Sequence, residues 1–500
     1  MLSFLTWTYT LVAVCMALYG VQAMVMVALY LKHREDPLDR EPVEASPLPS
    51  VTIQLPIYNE RYVVPRLVES VASMEYPTDR LEIQILDDSD DETRKVVDRC
   101  VKIYAAKGID IRAVRRSERK GFKAGALEYG LTEAKGELIA IFDADFAPPK
   151  EWLKEAVRPF MADGNVGFVQ TRWGHLNPDY SLLTKAQRLA LDGHFVVEQV
   201  ARSRSGLFMN FNGSAGVWRK TCIEDSGGWS AETLSEDMDL SFRAQMKGWK
   251  GVYLEDVVAP AELPPQLTAF KRQQFRWARG SVQALRLLAG KLIRSDEPWF
   301  VKLEAVLHMG GYFVSPLMLL LLLLTLPMLV WKEQAPWPLA YASVASLGPV
   351  ILYALAQREI SRRGWVKRAM VFPVLAMLGV GISWNNTLAI VGGLRRGSVR
   401  FLRTPKFRIE SGGEEWHNRS YALKLDRNFW GELFWLAYSA LTMWVSFARG
   451  QIYAIPFISL YLFGFGYTIA LGLYQQYLVM ESARRSSGQT ENVFIRRSLG

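Results

Sequence analysis

Apolar positions fall along this chain in two rhythms, and the switch between them predicts its organisation. From Leu5 to Leu31 the sequence is apolar, carries no charge, and ends on Lys32-His33-Arg34. That length suffices to cross a bilayer, and the run continues past any plausible cleavage point. It therefore predicts a membrane anchor and not a signal peptide. Comparable runs return at Ala305–Val330, Leu339–Ala356, Gly431–Ala448 and Ile452–Met480, and Met318–Leu326 is all Met and Leu apart from Thr325. A further run, Ala369–Leu394, is followed by Arg395, Arg396, Arg400, Arg403, Lys406 and Arg408. Crossing would put those charges outside. The expectation is an interfacial or re-entrant hairpin, bent near Gly379, Gly381 and Asn385-Asn386-Thr387, with both flanks inside. Five spans then leave the large charged region in the cytosol.

Between residues 50 and 175 the rhythm changes. Val51–Ile57, Ile83–Leu86, Ile111–Val114 and Glu137–Phe142 read as short buried strands. Arg61–Met74, Glu92–Lys107, Lys123–Ala134 and Lys150–Ala162 read as helices. This alternation predicts an α/β domain with a mostly parallel sheet, whose ligands bind beyond the carboxyl ends of the strands.

The net charge is +9. Because the excess lies beside apolar spans, it reads as membrane topology; no nucleic-acid module is visible. Cys15, Cys100 and Cys222 are far apart and predict neither a disulfide framework nor a zinc site. No GxGxxG or Walker lysine motif is present, which argues against dehydrogenase and P-loop chemistry. No pattern of intramembrane charge marks a transport path.

The strand ends carry the candidate chemistry. The first ends in Pro56-Ile57-Tyr58-Asn59-Glu60, the second in Asp87-Asp88-Ser89, and the one near residue 140 in Asp143-Ala144-Asp145. Asp143 and Asp145 can offer oxygen ligands to one Mg²⁺ or Mn²⁺, which would neutralise a diphosphate leaving group. Asp87 and Asp88 suit a base N–H or a ribose hydroxyl. Lys120 and Lys123, in a glycine-bearing turn that opens a helix, suit an anionic ligand. Asn212-Gly213-Ser214 is a small-residue turn that allows close ligand approach. Asp237 is the candidate general base, with Glu236 beside it to position helix or acceptor. Gln273, Arg276 and Trp277 share one helix face, where an arginine can hold a diphosphate and a tryptophan can stack on a sugar.

Taken together and in order, Pro56–Glu60, Asp87-Asp88, Lys120–Leu127, Asp143-Ala144-Asp145, Asn212–Gly216, Ser235-Glu236-Asp237 and Gln273-Gln274-Phe275-Arg276-Trp277 resemble family 2 glycosyltransferases, the group of cellulose synthase. Gly227-Gly228-Trp229, Glu236–Leu240 and Lys247-Gly248-Trp249 look most like the cellulose-synthase-like mannan and glucan synthases. The resemblance implies a GT-A type nucleotide-sugar-binding domain inserted between transmembrane helices, a UDP- or GDP-hexose donor, a divalent metal and inversion. It implies Asp88 on the base, Asp143 near the diphosphate, Asp145 on the metal and Asp237 as base. Pro56, Tyr58, Glu60, Asp87, Lys120, Lys123, Gln273 and Arg276 are expected on the donor. Asn212, Gly213, Ser214, Glu236 and Trp277 are expected on the acceptor.

The expected domains are an anchor over residues 1–31, a cytosolic catalytic domain over 32–265, interfacial helices over 266–304, transmembrane helices over 305–480 and a cytosolic tail over 481–500. The expected activity is hexose transfer from UDP-glucose or GDP-mannose to a growing, exported β-glycan, in a bacterial inner membrane or a Golgi membrane. Transfer of one sugar to a membrane lipid is the alternative.

Overall fold

The computed structural model describes residues 3–38, 47–331, 333, 343–395, 403–410 and 413–498. Its centre is a seven-stranded sheet in the order β3-β2-β1-β4-β6-β5-β7. The strands are β1 (Val51–Ile57), β2 (Leu81–Asp87), β3 (Asp110–Val114), β4 (Leu138–Ile141), β5 (Val166–His175), β6 (Gly216–Arg219) and β7 (Lys250–Ala261). The four predicted strands are β1 to β4, all parallel. Among the described strands β6 alone runs antiparallel to its neighbours, β4 and β5.

β1 shows why the sequence folds this way. Val51, Ile53, Leu55 and Ile57 point into a core shared with α2 (Val64–Ala72) and α5 (Trp152–Ala162). The other face carries a buried polar ladder, Thr52 to Glu82 at 2.6 Å and Gln54 to Gln84 at 3.1 Å. Pro56 is tolerated in this central strand because the pairing with β4 stops at Gln54, so no partner on that side needs its missing N–H.

The second core lies on the opposite face. It joins Leu127 and Leu131 of α4 (Phe122–Glu133), Leu240 and Phe242 of α9 (Glu236–Met246), Leu288 of α10 (Leu267–Arg294) and Met309 of α11 (Trp299–Met309). It also takes in Met26, Val27 and Tyr30 from the last turns of α1 (Phe4–His33). α1 is thus part of the α/β domain's own packing.

Among the described residues three helices are long and apolar enough to cross a membrane: Phe4–His33, Gly311–Trp331 and Ile452–Arg485. Five were expected from the apolar runs. Ala305–Met309 belongs to α11, which breaks at Gly310 before the span begins. The helix Leu347–Ile360 has only 14 residues, about 21 Å, short of a bilayer core. Residues 339–342 of that predicted span, most of the predicted loop at 331–338, and Arg396 and Arg400 lie outside the described residues. The helix Phe429–Ala448 has 20 residues and carries Glu432 in its first turn. Over the segment around 369–394, where an interfacial or re-entrant hairpin was expected, helices Trp365–Gly381 and Ser383–Leu394 meet at a 48° bend, as in a broken span or a re-entrant loop, and would add a fourth span if the pair crosses as one. Both ends of the pair touch the catalytic region, through Arg368 to Asp192 at 3.5 Å and Arg286 to the Leu394 carbonyl at 3.3 Å.

Candidate active site

The carboxyl ends of β1, β2 and β4 open onto one cleft of about 1070 Å³. It is lined by Pro56, Tyr58 and Glu60 after β1, Asp88 after β2, and Asp143 and Asp145 after β4. The antiparallel direction of β6 completes this rim. Gly216 pairs with Ile141, so the residues before β6 land beside those after β4. Asn212 and Gly213 enter the cleft there, and Ser214 Oγ accepts from the Asp143 N–H at 2.9 Å. Gly213 has φ 79°, and a Cβ on it would lie 2.6 Å from Asp237 Oδ2. Only glycine lets this turn approach that carboxylate.

Opposite charges interleave in the cleft. Lys123 Nζ sits 2.6 Å from Asp143 Oδ1, 2.8 Å from the Gly213 carbonyl and 3.8 Å from Glu236 Oε1. Burial works against its charge, but Asp143, Glu236 and Asp237 together hold its pKa above the usual lysine value. Asp237 opens α9 and accepts from the Met238 N–H at 2.8 Å. Burial, then the charge of Glu236, pushes its carboxyl up to about 7, with Lys123 pulling back. Burial also raises Glu236, against the opposing pull of Lys123, and raises Glu60 to about 7 against Arg403 and Lys406. A carboxylate poised near neutrality can take a proton from a sugar hydroxyl.

No three His, Cys, Asp or Glu side chains converge as a closed cation cage among the described residues. Asp143 and Asp145 do offer two hard carboxylates. That is the donor type and number a Mg²⁺ or Mn²⁺ takes when phosphate oxygens and water fill its shell, so the residues fit such an ion.

Gln273, Arg276 and Trp277 of α10 all line the cleft. Their helix is fixed from behind: Lys271 Nζ meets Glu432 Oε2 at 2.7 Å, with both side chains buried, and the Leu267 N–H donates to Gln475 at 2.8 Å.

Three expected contacts stay outside the cleft. Asp87 is buried and spends its oxygens on Arg115 at 2.9 Å and the Ser89 N–H at 3.1 Å, so it shapes the turn. Lys120 is exposed, and only its carbonyl is engaged, by Arg116. Ser214 is fully buried beneath Asp143. Sequence reasoning missed Arg119, whose guanidinium lies 3.3 Å over the Tyr58 ring, and the lining residues Trp173, Arg403, Thr404 and Lys406. Arg403 and Lys406 were expected as topology charges. Instead the segment around them lies across the cleft: Lys406 pairs with Asp145, Arg403 bonds the Asn59 carbonyl, and buried Glu262 accepts the Phe407 and Arg408 N–H groups at 2.9 Å each. The signal available was the mixture of Thr404 and Pro405 with the charges, which a simple topological flank does not require.

Residues 49–280 match the family model described as glycosyltransferase like family 2. Among curated proteins the chain is 38% identical over 304 residues to glucomannan 4-beta-mannosyltransferase 2 of Arabidopsis thaliana, covering 59% of this chain and 57% of the relative. It is 41% identical over 273 residues to glucomannan 4-beta-mannosyltransferase 1 of Oryza sativa subsp. japonica, covering 53% and 52%. The chain thus spans little more than half the length of these relatives. Among solved structures, a mannosyltransferase from Pyrobaculum calidifontis in complex with GDP-Man and Mn²⁺ shares the fold at a TM-score of 0.52 and 22% identity, covering 73% of this chain and 98% of that one.

Proposed function

We propose that residues 49–280, which match the family 2 glycosyltransferase model, form a catalytic domain of the cellulose-synthase-like type, and that the protein transfers a hexose, mannose foremost, from a GDP- or UDP-sugar to a β-glycan at a membrane, with inversion. The observation that carries this reading is the single cleft that gathers Asp143, Asp145, Asp237, Gln273, Arg276 and Trp277 from distant parts of the chain. The names of the relatives at 38% and 41% identity support mannose and a glycan acceptor. No feature of the cleft favours a lipid acceptor. Processive elongation and export past the apolar helices extend the same reading, as does a membrane-embedded chain with its catalytic domain cytosolic.

In this mechanism Asp88 and Tyr58 face the nucleoside, and Arg276, with Gln273, holds the diphosphate. Asp143 and Asp145 would hold a Mg²⁺ or Mn²⁺, which when bound supplies positive charge for the departing nucleoside diphosphate. Asp237 accepts the proton of the acceptor hydroxyl as that oxygen attacks the anomeric carbon, and the bond to the diphosphate breaks on the opposite face. Trp277 gives the acceptor ring an apolar platform, and Lys123 keeps Asp143, Glu236 and the Gly213 turn in register.

The test is a panel of nucleotide sugars offered to the purified full chain, with product sizing. Release of GDP from GDP-mannose with growth of a mannanase-digestible polymer is expected. A lipid-extractable monoglycoside, or no turnover of any donor, would refute the reading.

A further inference from the structure

Behind the Asn212 turn the helical chain changes pitch. Between α6 (Leu182–Asp192) and α7 (Gln199–Arg204), residues Gly193–Glu198 form a π-helical turn, a feature that often accompanies functional sites. Within it His194 Nδ1 lies 2.9 Å from Glu198 Oε2, and His194 Nε2 lies 3.0 Å from Asn212 Nδ2.

One fixed point determines every proton in this chain of contacts. The backbone carbonyl of Asn210 can only accept. Gln199 Nε2 donates to it at 3.0 Å and, with its second hydrogen, to Asn212 Oδ1 at 2.7 Å. Asn212 must therefore turn its Nδ2 toward His194. Nε2 of His194 must accept, so Nδ1 carries the ring proton and donates to Glu198. Burial alone would raise the Glu198 carboxyl, but the hydrogen bond from His194 and the nearby charge of Arg202 act to lower it, as an acceptor requires. One Asn212 Nδ2 hydrogen is then spent on His194. The other meets no protein acceptor among the described residues, on a side chain that lines the cleft together with Gly213, Trp173 and Trp277.

We infer that His194 and Glu198 are positioning residues that lock the Asn212 amide so that one N–H is presented to a hydroxyl oxygen of the acceptor sugar. This rests on the sugar-transfer reading above. Neither His194 nor Glu198 lines the cleft, so they act through Asn212 and not on the substrate. A leucine at 194 removes one of the two contacts that hold the amide and leaves it tethered through Gln199 alone, whereas a glutamine can still offer an oxygen to Asn212.

The experiment uses the full chain in detergent, with GDP-mannose saturating, a soluble β-1,4-manno-oligosaccharide as varied acceptor, and GDP binding measured separately. His194→Leu should raise the acceptor KM about tenfold, the weight of one oriented hydrogen bond, while GDP affinity stays within about twofold. His194→Gln should restore most of the acceptor KM. In an Asn212→Ala background, His194→Leu should cost nothing further. Equal losses in the Leu and Gln variants, or a loss of GDP binding in step with acceptor binding, would make His194 a merely structural residue and overturn the inference. If the unaltered chain transfers no sugar at all, the functional reading itself falls. If it transfers sugar and His194→Leu keeps the normal acceptor KM, this inference alone falls.

Discussion

As the proposed base, Asp237 would bear the largest chemical demand of any residue in the cleft, and its surroundings set how it would meet that demand. Its carboxyl is pushed up to about 7 by burial and by Glu236, so at lower pH it holds a proton and cannot accept another. Transfer should therefore fall as pH drops through about 7, along a limb of one proton, and be lost progressively below it. A cation at Asp143 and Asp145 would favour the ionised form and move that limb downward. A pH–rate profile checks this; a flat profile from neutrality into acid would remove Asp237 as the base. Asp237→Asn keeps the shape and the N–H contact of the side chain but cannot take the proton. It should lower kcat by at least about a hundredfold while leaving nucleotide affinity nearly unchanged by calorimetry. Chelation by EDTA should stop turnover, and Mn²⁺ or Mg²⁺ should restore it. Turnover that persists in EDTA would show that Asp143 and Asp145 serve only Lys123 and Lys406.

At the scale of elements, α10 joins the cleft to the membrane helices, and a buried ion pair holds it there. Lys271 and Glu432 are each almost fully enclosed, so removing one leaves the other charged and unpaired. Lys271→Met or Glu432→Leu alone should cost about 3–5 kcal/mol, and the double substitution should recover most of it; thermal unfolding of the three variants in one detergent measures this. The elements also show what was legible in the sequence and what was not. β1 to β4 could be read because their apolar runs are short, continuous and bounded by turn residues. β5 to β7 escaped because their patterns are mixed: β7 carries Lys250, Glu255 and Asp256, and β6 is only four residues long. Asp143, Asp145 and Asp237 could be placed from strand position or resemblance. Arg403 and Lys406 could not, because a basic flank after an apolar run fits a membrane boundary as well as it fits a phosphate site. Asp87 and Ser214 have the residue types of ligand groups, yet they support the loops from beneath. That difference depends on which way a side chain turns after its strand, which periodicity does not encode.

Across the whole molecule the catalytic domain and the apolar helices are one packed object. With three helices fit to cross a bilayer, the chain should stay with the membrane fraction after high-salt and alkaline washing and leave it only in detergent. Release by salt alone would rule out spanning helices. The part played by α1 goes further than attachment. Met26, Val27 and Tyr30 fill the same core as Phe195, Phe208 and Leu240, so a soluble fragment starting after residue 47 would present an open apolar seat where α1 belongs. The consequence is one of timing in biogenesis. α1 is made before the domain that depends on it, and as a spanning helix it would reach the bilayer before that domain is complete. The domain then closes around a helix already in place, and a copy that missed the membrane would lack part of its core.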